Sequence, residues 1–280
     1  GLGTLPLGIE YPLPEQRPSR AKAIKLLHTA FCSGVQLLDT ADSYYAGPDG
    51  SKEAASPHYV ESMIADAIRS FPGDTKHIRV CTKGGMQRIN KTSRGWRPRV
   101  CTASNVAQMI DASYQALGGK HPIDIYMLHH TDQLKSPQLE EALRVMQAAV
   151  DNQTVRCLGL ANATVANLEL AERLGVKICA VQNRFSLWHR EAELPLSQGD
   201  AATRTTQKGV LDWCASRGAA FMPYGVFGGV KHRDGRCSLR KEFPCLVRMA
   251  NQQNVSPEAM VLAWMRWRFP CVVHIVGARS

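Results

Sequence analysis

No apolar run in these 280 residues approaches the roughly 18 that a membrane-spanning helix requires, so no such helix is expected. The nine cysteines are odd in number and never form a C-x-x-C pair. That argues against a zinc or iron–sulfur centre and for reduced, core-packed thiols, with no metal site. The opening GLGTLPLGIEYPLP lacks a basic segment and a cleavage pattern, so it does not read as a signal peptide. It also lacks an initiator Met, which predicts a processed chain or one excised from a longer protein. Acidic residues are scarce, 24 against 34 basic, for a net charge of +10. Such a balance suits an anionic partner and equally a solvated basic surface; a phosphate-bearing cofactor needs only a few of the charges.

What is present is ordinary globular material, 44% hydrophobic and 21% charged. Short β-like runs alternate with helical ones. Strands are predicted over 35–39, 77–83, 123–129, 155–161, 178–183, 219–224 and 272–277, with a weaker one over 1–8. Helices are predicted near 20–32, 58–69, 104–117, 138–150, 164–174 and 204–217, and from Ser256-Pro257-Glu258 onward. In 138–150, Leu139, Leu143, Met146 and Val150 recur at helical spacing, with Ser136 as N-cap and Pro137 behind it. Eight strands interleaved with seven helices imply a parallel sheet. A doubly wound nucleotide fold would carry G-x-G-x-x-G after its first strand. Here Gly1 and Gly3 fit, Pro6 takes the third glycine position, and no helix is predicted to follow. A (β/α)8 TIM barrel needs no such fingerprint and fits the element count, truncated after strand eight because the chain stops at GARS.

Active sites of such barrels gather at the C-terminal ends of the strands. The predicted strands end in Asp39, Lys83, His129, Ala161-Asn162, Gln182-Asn183 and Tyr224. Period-two alternation puts Asp39 on the face of Leu37, Lys83 on that of Cys81, and His129 on that of Ile125 and Met127. His130, on the opposite face, is the rival imidazole. A free tyrosine has a pKa of about 10 and is a poor acid at neutral pH. A neighbouring ammonium lowers that value, and a carboxylate beside the ammonium keeps it charged. Asp39, Lys83 and a tyrosine from the loop DTADSYY make such a set. With a histidine to orient a carbonyl, the set would deliver a proton during carbonyl reduction beside a hydride source.

The fragments LLDTADSYY, CTKGG, IDIYMLHHTD, LGLAN, VQNRFS and VHIVGARS, in this order over nearly the whole chain, resemble the aldo/keto reductase family. TKGGMQRINKTSRGWRPR is similar to the branch with a long Arg- and Trp-bearing loop after the lysine strand. The resemblance implies a single barrel domain over 1–280 with N- and C-terminal segments missing, binding NADP(H), less often NAD(H), across its mouth. It implies catalytic roles for Asp39, Tyr44 (rather than Tyr45), Lys83 and His129. It places Asn162 and Gln182 on the nicotinamide carboxamide, Tyr224 against the nicotinamide ring, and Gly225, Val226 and Gly228 at the pyrophosphate. Arg279 is compatible with NADP(H).

Four features depart from the pattern. Ala161 replaces the usual serine before Asn162, and Gly225-Val226-Phe227 replaces Ser-Pro-Leu. The segment AGPDGSKEAASPHYVES lengthens the path from Tyr44 to the next helix and would reshape the rim or loosen Tyr44. The chain ends before the segment that in the family binds the 2′-phosphate. Trp96, among Lys91, Arg94, Arg97 and Arg99, reads either as a substrate-loop aromatic or as a loop anchor. The same cluster is the best case for nucleic-acid binding, and a weak one without a nucleic-acid fold. The expected function is reduction of an aldehyde or ketone, or the reverse, in cytoplasm or plastid, on a small-molecule substrate. The alternative is a non-catalytic, cofactor-binding regulatory subunit of the same fold.

Overall fold

Several helices begin where the sequence supplies a cap. In the computed structural model, which describes residues 1–9, 17–90, 95–193, 209–229 and 238–278, Ser19 accepts a hydrogen bond from the Lys22 amide and opens α2 (Arg20–Cys32). Thr102 does the same for α4 (Ala103–Ala116), and Thr164 with Asn167 closes a capping box on α6 (Val165–Arg173). Each such cap satisfies an otherwise orphaned amide and is worth about 1 kcal/mol. Between them lie α3 (Tyr59–Ser70) and α5 (Ser136–Asp151). Ahead of α2, a single turn, α1, spans Leu5–Gly8.

The chain divides into two compact units: Gly1–Cys179 with Ile275–Ser280, and Ala180–His274. In the first, the strands of the main sheet all pair in parallel. The strands are β1 (Leu2–Gly3), β2 (Leu37–Asp39), β3 (Arg79–Gly84), β6 (Ile123–Leu128), β7 (Val155–Ala161) and β10 (Val276–Gly277), in the order β10-β1-β2-β3-β6-β7. Register places Asp39 beside Cys81 and Lys83 beside Met127. A separate antiparallel hairpin, β4 (Met86–Arg88) and β5 (Trp96–Pro98), follows β3. The core is built from the inward stripes of the helices, such as Ala23, Leu27 and Phe31 of α2 and Val60, Met63, Ile64 and Ala67 of α3. Spacings of three and four keep those residues on one face.

The second unit contains most of β8 (Ile178–Gln182), paired in parallel with β9 (Ala220–Phe221), which bridges Val272 in turn. Its helices are α7 (Val210–Arg217), capped at its end by left-handed Gly218, and the segments Leu239–Glu242, Pro244–Gln252 and Pro257–Arg268. Among the described residues no helix is long and apolar enough to cross a membrane.

All eight expected strands are present, most of them shorter than expected. The first differs most: strand covers only Leu2–Gly3, because Leu5–Gly8 coils with Pro6 in its first turn, where a missing amide costs nothing. Lys135, not Ser136, is the N-cap of α5, and Val150 is only half-buried because Ala149 takes the inward place. The hairpin and the helices at Leu239–Glu242 and Pro244–Gln252 were not anticipated. The thiols are less uniformly internal than expected: Cys81, Cys101 and Cys214 are buried, whereas Cys32, Cys157 and Cys245 are exposed.

Candidate active site

The parallel register brings the ends of β2, β3 and β6 to one edge of the sheet, each stepped two residues beyond its neighbour, and the polar residues there converge. Lys83 is fully buried and donates to Asp39 Oδ1 at 2.7 Å and to the Thr40 carbonyl at 2.6 Å. Its Nζ lies 5.0 Å from the ring centroid of Tyr44. The Tyr44 and His129 rings meet edge to face at 6.0 Å, and Trp96 meets Tyr44 at 6.3 Å and His129 at 6.2 Å. Asp39, Tyr44, Lys83, His129 and Trp96 thus form one cluster.

The backbone fixes these groups. The Thr4 amide and hydroxyl both donate to the Asp39 carbonyl. The Thr40 amide bonds Cys81 O, the Asp42 amide bonds Lys83 O, and the His129 amide bonds Gly84 O. Tyr44 is buried despite the long segment after it, which folds back through a bond from the Ala46 amide to Ala54 O. Tyr45 points elsewhere: its hydroxyl donates to Arg88 O and accepts from the Arg88 amide.

Electrostatics follow from burial. Desolvation pushes the Lys83 ammonium down most strongly of any single cause, but Asp39, Tyr44 and Cys81 together outweigh it and the pKa is raised, so the group stays charged. Burial pushes the Tyr44 phenol up, while Lys83 pulls it down by its charge and a side-chain hydrogen bond. Burial wins, so the phenol holds its proton. Burial, then Lys83 and His130, drive His129 well below the ordinary histidine value, so it is neutral at pH 7. His129 Nδ1 is buried with no hydrogen-bond partner among the described residues. His130 stacks on His129 at 5.5 Å and faces Asp132 at 3.3 Å rather than the tyrosine.

Asn162 has a left-handed φ of 53°, and its side-chain amide donates to the His129 carbonyl at 2.7 Å. It therefore satisfies a loop backbone group. Gln182 is buried at the end of β8. Beyond β9, the Tyr224 amide bonds Asn183 O, Val226 is buried, and Gly225, Gly228 and Gly229 all have positive φ. A Cβ on Gly225 would touch the Arg184 side chain at 3.9 Å, so a guanidinium borders this glycine loop. Lys91, Arg94 and Arg279 lie outside the described residues.

Sequence reasoning missed a second buried polar group behind the first. Glu61 of α3 is fully buried, accepts from Thr82 Oγ1 at 2.5 Å and pairs with His58 Nδ1 at 2.5 Å. Asp42, also buried, faces Arg99 at 3.4 Å. A glutamate beside the apolar stripe of α3 was the available signal.

The family model described as "Aldo/keto reductase family" matches residues 1–280. The chain belongs to the aldo/keto reductase family. Its members are oxidoreductases acting on carbonyls or alcohols, and the fold class is the family's (β/α)8 barrel. Among the relatives of this aldo/keto reductase is a 6-dehydroglucose reductase of Novosphingobium aromaticivorans, 27% identical over 96% of this chain and 80% of that protein. The Escherichia coli pyridoxine 4-dehydrogenase is 24% identical over 93% and 78%. A Klebsiella pneumoniae aldo/keto reductase crystallised with NADP and acetate superposes with TM-score 0.69 at 21% identity, over 100% of this chain and 81% of that one. A Gluconobacter oxydans glycerol dehydrogenase gives 0.72 at 18%, over 100% and 82%. At such identities the solved structures show the fold alone.

Proposed function

We propose that this aldo/keto reductase reduces an aldehyde or ketone to its alcohol, or runs the reverse, with NADP(H) and with Tyr44 as the proton donor. The observation that carries the reading is a buried ammonium, Lys83, held charged by Asp39 and lying 5.0 Å from the ring of a buried, protonated tyrosine. Tyr44 gives its proton to the carbonyl oxygen as negative charge develops there. Lys83 stabilises the phenolate left behind, and Asp39 prevents the lysine from losing its own proton. Neutral His129 retains an N–H that can orient the carbonyl without adding a second positive charge.

The nicotinamide cofactor, when bound, supplies the hydride. Asn162 and Gln182 would hold its carboxamide, and Tyr224 would lie against its ring. Gly225, Val226 and Gly228, with Arg184 alongside, would hold the pyrophosphate. Three left-handed glycines, whose amides can point to one side, and a neighbouring guanidinium suit an anion. The NADP bound in the Klebsiella neighbour supports the same choice. In this reading residues 1–280 act as one barrel domain. The test is loss of NADPH absorbance with a panel of aldehydes; turnover is expected, and inactivity of the folded chain against all of them would favour a non-catalytic subunit.

A further inference from the structure

Arg88, at the end of β4, is only 3% exposed. Its Nε and Nη2 are buried and have no hydrogen-bond partner among the described residues. These two nitrogens form one edge of the guanidinium, the fork that grips both oxygens of a carboxylate at once. Leaving such a fork without a partner is costly, because a buried charge loses its hydration and gains nothing in return. Among the described residues, the groups around it do not make up the loss. Its guanidinium lies 4.5 Å from the centre of the Trp96 ring, a weaker contact than a bidentate hydrogen bond. Tyr45 binds only its backbone. Burial lowers its pKa, with Tyr45 and the exposed Asp49 opposing that from their positions. The same Trp96 ring touches Tyr44 and His129.

We propose that Arg88 and Trp96 form a substrate subsite that binds an acidic group (carboxylate, phosphate or sulfonate) on the carbonyl compound whose oxygen meets Tyr44. The inference rests on the reductase reading above and names its substrate class. The indole supplies a flat wall that contacts both the reacting end and the anchoring cation. Tyr45 pins the hairpin strand from the residue next to Tyr44, so anchor and proton donor hold a fixed spacing.

The test compares 4-carboxybenzaldehyde with 4-nitrobenzaldehyde, which match in shape and differ in charge. The wild-type protein should favour the carboxylate in kcat/KM, chiefly through KM. In Arg88→Gln the ratio of the two kcat/KM values should fall by roughly 10- to 100-fold, the range for losing a charged hydrogen bond. Arg88→Lys, which keeps charge without the fork, should fall between them. Three results would overturn the proposal: no wild-type preference, an equal loss on both aldehydes, or an effect confined to NADPH affinity. The last would assign the guanidinium to a cofactor phosphate. The wild-type comparison stands even if Arg88→Gln does not fold. If no aldehyde of the panel turns over, the reductase reading fails, and benzoate titration still decides the subsite. Binding that weakens in Arg88→Lys supports it, and unchanged or absent binding rejects it.

Discussion

At Lys83 an ammonium sits in a place where water cannot solvate it, and it stays charged because Asp39 is 2.7 Å away. Each needs the other. Removing the amine in Lys83→Met takes the ion-pair partner from a buried carboxylate, which costs about 3–5 kcal/mol of stability. Urea unfolding should read that loss beside a near-complete loss of turnover; a variant as stable and active as the parent would show the pair is dispensable. Asp42, three residues on, behaves differently. Burial, then Glu61, push its pKa up to about 7, against the pull of His58, Arg99 and Ser43. An acid raised in the folded state stabilises fully below its unfolded value, and that contribution is lost as pH climbs from about 4 through about 7. His58 adds the same trend: burial opposes its charge, but Glu61 raises its pKa overall. Asp42→Asn cannot ionise. The variant's Tm minus the wild-type Tm should therefore be larger at pH 8 than at pH 5; a difference independent of pH would mean that Asp42 does not titrate in this range.

Elements translate those residues into positions. The turn α1 lies against the loop that carries Tyr44, so closely that a Cβ on Gly8 would fall 2.3 Å from the Tyr44 carbonyl oxygen and 2.7 Å from Val60 Cγ2. Gly8→Ala must move one of them. It should cost about 1–3 kcal/mol and lower kcat more than a surface change of equal stability cost. Unchanged melting would mean that the loop has slack. This contact was invisible in the sequence, as was the whole of α1, because Gly and Pro in GLGTLPLG argue for turns. The β2, β3 and β6 ends were legible because an apolar run that stops at Asp39, Lys83 or His129 is unusual and recurs from strand to strand. The hairpin was not: Met86–Arg88 and Trp96–Pro98 are three residues each and include a proline. Nor was the burial of Glu61 or Arg88, since a lone charged residue reads as surface until its neighbours in space are known.

Across the whole molecule the charge of +10 acts at longer range than any of these contacts. A basic protein attracts an anionic dinucleotide through a field that salt screens within about 8 Å at physiological ionic strength. The KM for NADPH should therefore rise with added sodium chloride, while kcat at saturation changes little. A salt-independent KM would mean that buried contacts alone decide cofactor affinity. In this reading the proton that meets the carbonyl oxygen comes from one hydroxyl. Tyr44→Phe removes it and keeps the ring that packs on His129 and Trp96. Turnover of an aldehyde should drop by at least about 100-fold, with NADPH still bound, as judged by its fluorescence. A Tyr44→Phe protein that reduces aldehydes at the wild-type rate would contradict the account.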